Sequence, residues 1–275
     1  MTINCKGKLI DFNVPKVMGI LNITPNSFFD GGSYLDNDSI LFQVEKMLQE
    51  GATFIDVGGY SSKPNAKFVS EQEELNRILP AIQLILNRFP ETVLSIDTFR
   101  SSVAKASIEN GAAMINDISA GKLDDKMLKT IANFQVPYCM MHLRGTPETM
   151  QTLTNYDAIV KEMLFYFSER VAAARAFGIN DLIIDPGFGF AKTIEQNYEV
   201  LQKLELFQIL ELPILVGFSR KSMIYKTLNS NALEALNGTT VLNTLALAKG
   251  AKILRVHDVK EAVECVKLFE KTSNY

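Results

Sequence analysis

A short apolar run of strand character, closed by a polar or glycine-bearing cluster and followed by a helical stretch, recurs eight times along the chain. The runs are VMGIL before Asn22, TFIDV before Gly58 and Gly59, TVLSI before Asp97, and AAMI before Asn116 and Asp117. VPYCMM before His142, DLII before Asp185, PILVGF before Ser219, and AKILRV before His257 and Asp258 complete the set. Helical candidates lie between them, among them 37–50, 70–88, 101–110, 155–177 and 196–210. Several stop at a glycine (Gly51, Gly111, Gly178, Gly250), the residue best suited to the left-handed turn that ends a helix. Strands that alternate with helices pair in parallel. Eight such units are the number that closes an α/β (β/α)8 TIM barrel, and 275 residues is an ordinary length for one. The competing doubly wound open sheet has fewer strands and binds dinucleotides through GxGxxG, a motif that GFGFAK breaks at its third glycine. The opening TINCKGKLIDF reads as a short N-terminal β-hairpin turning at Gly7. No Pro/Gly/Ser-rich linker or composition shift divides the chain, so 1–275 reads as a single domain.

Hydrophobic residues make up 47% of the chain, enough for one large core. The 28 Lys and Arg nearly balance the 31 Asp and Glu, which argues against a nucleic-acid surface while allowing a local anion site. Three cysteines (Cys5, Cys139, Cys265) without CxxC spacing fit neither a disulfide framework nor a zinc site, and suit the reducing cytoplasm. With no apolar run near membrane length, the expectation is a soluble protein with no membrane partner.

Active sites of barrels form at the C-terminal ends of the strands, and the polar clusters fall there. Each residue alone has a structural reading. Asp97 could cap the next helix, Asp185 before Pro186 could make a turn, and His142 or His257 could be a satisfied core histidine. Convergence of Asn22, Asp97, Asn116, Asp185, Lys221, Arg255 and His257 on one barrel mouth favours a site. Two Asp, an Asn and a Lys suit a flat polar heterocycle, because a carboxylate accepts two parallel N–H bonds while amide and ammonium serve ring nitrogens and carbonyls. Asn22, Lys63, Arg220, Arg255, His257 and the glycines of 30–32 form a second, cationic group suited to phosphate or diphosphate. Asn22 is also an oxygen donor of the kind Mg2+ accepts when phosphates and water complete its shell.

Other chemistries fit worse. GFSRK lacks the last glycine of a GxSxG elbow, no GxxxxGK[ST] occurs, and the two histidines are too far apart in sequence for an HExxH zinc site. Met140, Met141, Phe188 and Phe190 read as core, with Phe190 alternatively placed to stack on a ring.

Taken together, MGILNITPNSFFDGG, SIDTFR, INDISA, MHLRGTPETMQ, IDPGFGFAKT, GFSRKSMI and RVHDV resemble, in order and interval, the signature segments of the dihydropteroate synthase family, over about residues 16 to 259. The resemblance implies a (β/α)8 barrel, usually a homodimer. It implies a transferase that joins 6-hydroxymethyl-7,8-dihydropterin diphosphate to 4-aminobenzoate, releasing diphosphate, in folate synthesis. It places Asp97, Asn116, Asp185 and Lys221 at the pterin. Asn22 falls at Mg2+ and diphosphate, and Lys63, Arg255 and His257 at diphosphate. Phe28, Ser62, Pro64, Phe190, Lys221 and Ser222 fall near 4-aminobenzoate, its carboxylate by the helix start at Ser222. Asp97, Lys221, Arg255 and His257 are the implied catalytic set, and the 22–34 and 58–68 loops would close over the substrates.

The chain departs from the family at 60–65, reading Tyr-Ser-Ser-Lys-Pro-Asn where Glu-Ser-Thr-Arg-Pro-Gly is usual, and it has Asn26 and Phe29 where Asp and Ser are more common. Two alternatives therefore stand beside the synthase. One is another enzyme on a pterin-binding barrel, such as a methyltetrahydrofolate-dependent methyltransferase; the other is a non-catalytic paralogue. The Arg255–His257 pair and the SRKS segment count against the first, and the retained site residues against the second.

Overall fold

The computed structural model describes residues 1–23, 36–60 and 69–273. It begins with the expected hairpin, β1 (Thr2–Cys5) against β2 (Lys8–Asp11). Lys6 and Gly7 both adopt positive φ, +53° and +89°, the two-residue turn whose twist matches that of paired strands. Eight parallel strands follow: β3 (Lys16–Asn22), β4 (Phe54–Gly58), β5 (Val93–Asp97), β6 (Met114–Asp117), β7 (Tyr138–Met141), β8 (Leu182–Asp185), β9 (Leu215–Val216) and β10 (Ile253–Val256). They are hydrogen-bonded in the order β8-β7-β6-β5-β4-β3-β10-β9. A parallel bridge between Ile184 and Ile214, with the Ile184 N–H on the Pro213 carbonyl at 3.0 Å, closes the ring into the expected (β/α)8 barrel.

The outer layer is α1 (Asn37–Gln49), α2 (Glu71–Arg88), α3 (Ser101–Glu109), α4 (Met127–Phe134), α5 (Ile159–Ala176), α6 (Ile194–Gln202), α7 (Ser222–Thr227), α8 (Leu236–Ala248) and α9 (Val259–Ser273). Gly51, Gly111, Gly178 and Gly250 take positive φ behind α1, α3, α5 and α8, as the sequence implied. Three boundaries differ from the expected ones. The 196–210 helix ends at Gln202, and a 3-10 segment, Leu204–Leu210, carries the chain to Glu211 at φ +54°. The 155–177 helix starts at Ile159, where Glu162 turns back to accept the Asp157 and Ala158 N–H groups at 2.9 and 3.0 Å. PILVGF yields only a two-residue strand, since Pro213 has no N–H for a ladder.

Alternation along the strands sorts the side chains. Ile55, Val57, Leu94, Ile96, Ile115, Leu182, Ile184, Leu254 and Val256 face the helices and join the main core. Met18, Phe54, Val93, Met114, Cys139, Ile183, Leu215 and Ile253 face inward as an apolar floor, and the hairpin seals that floor from below with Ile3, Cys5, Ile10 and Phe12. Because the side-chain period of a strand is two, the next inward residues lie one layer higher. They include Asp56, Ser95, Asn116, Asp185 and Arg255. The interior thus changes from apolar to charged within one step toward the C-terminal mouth, with the floor and hairpin shutting water out below.

Candidate active site

Strand register assembles the mouth. Asn22 lies opposite Gly58, Gly58 opposite Asp97 and Asp97 opposite Asn116, so four successive strands end in one layer. Gly58 is what lets the polar groups crowd there: a Cβ on it would stand 3.3 Å from Asn22 Oδ1 and 3.7 Å from Asp97 Cβ.

The electrostatic centre is Arg255. Its Nε donates to Asp56 Oδ2 at 2.6 Å and its Nη2 to Asp97 Oδ2 at 2.8 Å. Asn116 Nδ2 donates to the same Asp56 oxygen at 3.1 Å. Asp56 is fully buried, and its other oxygen, Oδ1, has no hydrogen-bond partner among the described residues. Burial works against the Arg255 charge, but Asp56 and Asp97 more than offset it and push its pKa above the ordinary value. Burial pushes the Asp97 carboxyl up to about 7; Arg255 pulls it down and Asp56 pushes it up further. Asp97 and Arg255 were expected to serve the two ends of a substrate separately. The structure instead joins them as an ion pair.

On the opposite side, Asp185 Oδ1 accepts the Gly187 N–H at 2.8 Å, and burial raises its pKa while Lys221 holds it down. Lys221 precedes α7 and donates through Nζ to the Phe188 carbonyl. Burial lowers its pKa to about 8, with Asp185 opposing the change. Its ammonium stands 4.8 Å from the centre of the Phe190 ring, so Phe190 belongs to the mouth. Phe188, Met140 and Met141 are buried as core, and Ser222 follows Lys221 as the first residue of α7. The 187–191 turn that carries Phe190 is set by positive φ at Gly187, Gly189 and Ala191, by the Gly189 N–H on Asn197 Oδ1 at 2.7 Å, and by Lys192. Lys192 Nζ donates to the Gly187 and Phe190 carbonyls, both at 3.0 Å, and reaches His142 Nδ1 at 3.2 Å.

His257 reaches Ser219 Oγ through Nδ1 at 2.9 Å. Two residues of the sequence reading fall elsewhere. Arg220, assigned to the cationic group, instead grips Asp258 with Nε and Nη2 at 2.9 and 2.8 Å and the Ala232 and Leu233 carbonyls with Nη1, an anchor for the segment before α8. His142 is the satisfied core histidine that a lone strand-end histidine suggests, its pKa pushed well below the usual value by burial and then by Lys192. Phe28, Ser62, Lys63 and Pro64, and most of both expected closing loops, lie outside the described residues. Tyr60, where the family usually has Glu, is buried with its hydroxyl on Glu148 Oε1 at 3.3 Å and its ring edge-on to Phe99.

Strand ends do not point to Asp56, because it sits inside the TFIDV run rather than at its end. The signal was there: Phe54, Asp56 and Gly58 share a face, and the last of them heads a polar cluster.

A closed barrel whose mouth holds fixed acids, an amide and two half-buried cations defines an enzyme for a small, flat, polar substrate with an anionic part. Residues 18–257 match the pterin binding enzyme family. The dihydropteroate synthase of Haemophilus influenzae is 42% identical over 276 residues, covering all of both chains. The Yersinia pestis dihydropteroate synthase, solved as a complex with a sulfonamide drug, superposes with a TM-score of 0.95 at 40% identity over the full length of both. The Xanthomonas albilineans enzyme, solved with 4-aminobenzoic acid, gives 0.92 at 34% identity, covering 100% of this chain and 98% of that one. The chain belongs to the dihydropteroate synthases, the pterin-binding transferases of folate synthesis.

Proposed function

We propose that the two sides of the Arg255 network divide the substrates between them. The pterin edge lies on Asp185, Asn116, Asp97 and Lys221, and 4-aminobenzoate approaches past Phe190, Lys221 and Ser222, with Phe28, Ser62 and Pro64 nearby. The diphosphate lies on Asn22, Lys63, Arg255 and His257. The observation that carries this reading is the Arg255 guanidinium held between two carboxylates, one of them at the pterin side of the mouth.

The amine of 4-aminobenzoate is itself the nucleophile, so the barrier lies in breaking the C–O bond to diphosphate. Cationic character grows on the pterin methylene as that bond lengthens. Asp97 stabilises it, while Arg255 and His257 take up the charge of the leaving group. As the pterin engages Asp97, Arg255 stays anchored through Nε on Asp56 and turns its Nη edge to diphosphate. Lys221 fixes the pterin from the other side, with burial keeping its pKa low.

Among the described residues no group of three or more His, Cys, Asp or Glu could hold a metal ion. The donor the chain would offer Mg2+ is the Asn22 amide oxygen, which suits an ion arriving with diphosphate and water. Mg2+ bound there supplies Lewis-acid stabilisation of the departing diphosphate.

A second copy of the chain completes the assembly as a homodimer, on the α7–α8 side, where Leu228, Leu233, Val241 and Leu245 are exposed. The three cysteines are free and buried, which suits a cytoplasmic enzyme.

The test is product formation followed by mass spectrometry, with the pterin diphosphate, 4-aminobenzoate and Mg2+. Dihydropteroate should form only with Mg2+ and fall at least about 100-fold in Asp97→Asn, the scale of a lost transition-state charge contact. Tight pterin binding without product would replace this reading with a non-catalytic pterin-binding role.

A further inference from the structure

We infer that Ser219 is a positioning residue that fixes His257 as the neutral tautomer carrying its ring proton on Nε2. Ser219 is buried at the end of the β9 segment, and its Oγ meets His257 twice: it accepts the His257 backbone N–H at 3.2 Å and lies 2.9 Å from the ring Nδ1. A hydroxyl has one proton to give and accepts through its lone pairs. With the backbone N–H delivered to Oγ, the arrangement that uses every group directs the O–H of Ser219 to an unprotonated Nδ1. The ring N–H is then on Nε2.

The consequence for the site rests on the reading that His257 serves the diphosphate. An imidazole protonated on Nε2 donates to an anionic oxygen without itself being charged. The other tautomer would present a lone pair at Nε2 and repel that oxygen. The contact made by one ring nitrogen thus decides what the other can do. The serine hydroxyl does this without adding charge, at a mouth that already holds Asp56, Asp97 and Asp185.

The chain has two histidines, so the proposal can be read directly. His142 is an internal reference, because its buried ring meets Lys192 Nζ through Nδ1 and makes no hydrogen bond to Ser219. In protein labelled with 15N-histidine, long-range 1H–15N spectra should show the His257 ring protonated at Nε2, with His257→Gln assigning the signals. Ser219→Ala should turn His257 into a mixture of tautomers and leave the His142 pattern unchanged. kcat/KM should fall about tenfold in Ser219→Ala, and Ser219→Thr, which keeps the hydroxyl, should retain the wild-type tautomer and most of the turnover.

A wild-type His257 protonated at Nδ1 overturns the inference, and so does a tautomer unaffected by Ser219→Ala. The wild-type spectrum decides the first point even if the alanine variant fails to fold. Kinetics of His257→Ala separate the two layers: wild-type turnover there removes His257 from the diphosphate site and leaves the tautomer result standing.

Discussion

Asp56→Asn is the substitution that most directly tests how the mouth is held together. The change is nearly isosteric and removes one charge from a fully buried residue that accepts Arg255 Nε at 2.6 Å and Asn116 Nδ2 at 3.1 Å. Taking one partner from a buried ion pair costs about 3–5 kcal/mol. Here the loss is smaller, because Arg255 keeps Asp97 at 2.8 Å and its side chain is 19% exposed to water. The new amide must in turn place its NH2 where Asp56 Oδ1 has no partner, a buried unsatisfied donor costing about 1–3 kcal/mol. Together these give a destabilisation of about 3 kcal/mol, or a drop of about 5–10 °C in thermal midpoint for a chain of this length. Activity should fall further than stability, by about 100-fold in kcat/KM, since the guanidinium loses the anchor that aims it. A third readout separates aim from stability. Asp56 pushes the Asp97 pKa up toward its value of about 7, so the acid limb of the kcat/KM profile should move to lower pH in the variant. The same group gives a stability effect of definite sign. Asp97 with a raised folded-state pKa binds more protons folded than unfolded between about 4 and 7, so wild-type stability declines as pH rises through that window, and the decline should be shallower in Asp56→Asn. A thermal midpoint within 2 °C of wild type (about 1 kcal/mol or less), with kcat/KM within threefold and an unmoved acid limb, would refute the role given to Asp56.

The wild-type kcat/KM profile should be a bell, rising as Asp97 ionises near 7 and falling as Lys221 loses its proton near 8; Asp97→Asn should remove the acid limb from whatever activity remains. Gly189→Ala and Gly178→Ala form a matched pair, both at φ +82°, where a side chain costs about 1–2 kcal/mol. A Cβ on Gly189 stands 3.3 Å from Lys221 Cδ, whereas nothing lies within 4 Å of one on Gly178, so both should lose a few degrees of thermal midpoint and only the first about tenfold in kcat/KM. Val241 and Leu245 are 49% and 46% exposed on α8; Val241→Glu with Leu245→Glu should halve the mass found by light scattering, and an unchanged mass would move the proposed dimer contact off this face.

Much of this molecule is legible from the chain because a parallel barrel repeats one physical unit. Each strand needs an apolar run, each helix end favours a residue tolerant of positive φ, and the return to the next strand fixes where polar clusters meet. Asn22, Asp97 and Asn116 could therefore be placed together from strand ends alone, and the register puts them in one layer. What strand ends do not reveal is pairing inside the barrel. Asp56 and Arg255 are 199 residues apart in sequence, and only the pairing of the last barrel strand, β10, with β3, beside β4, brings them to 2.6 Å. Arg220 and Lys221 show the same limit at shorter range. They are adjacent cations in one motif, yet Arg220 turns outward to Asp258 while Lys221 turns in to the Phe188 carbonyl. The divergence is set by backbone: Arg220 sits at φ +57° and Lys221 is the extended N-cap of α7, so consecutive side chains leave the chain in different directions. The departure at Tyr60 follows the same logic. Beside Tyr60, Arg100 pairs with the buried Glu74 of α2 and reaches the Val69 carbonyl at 2.8 Å, partners that no strand-end motif announces. Asp56, inside its strand, and Asp97, at the end of the next, together set where Arg255 points, and only the second is announced by a strand end.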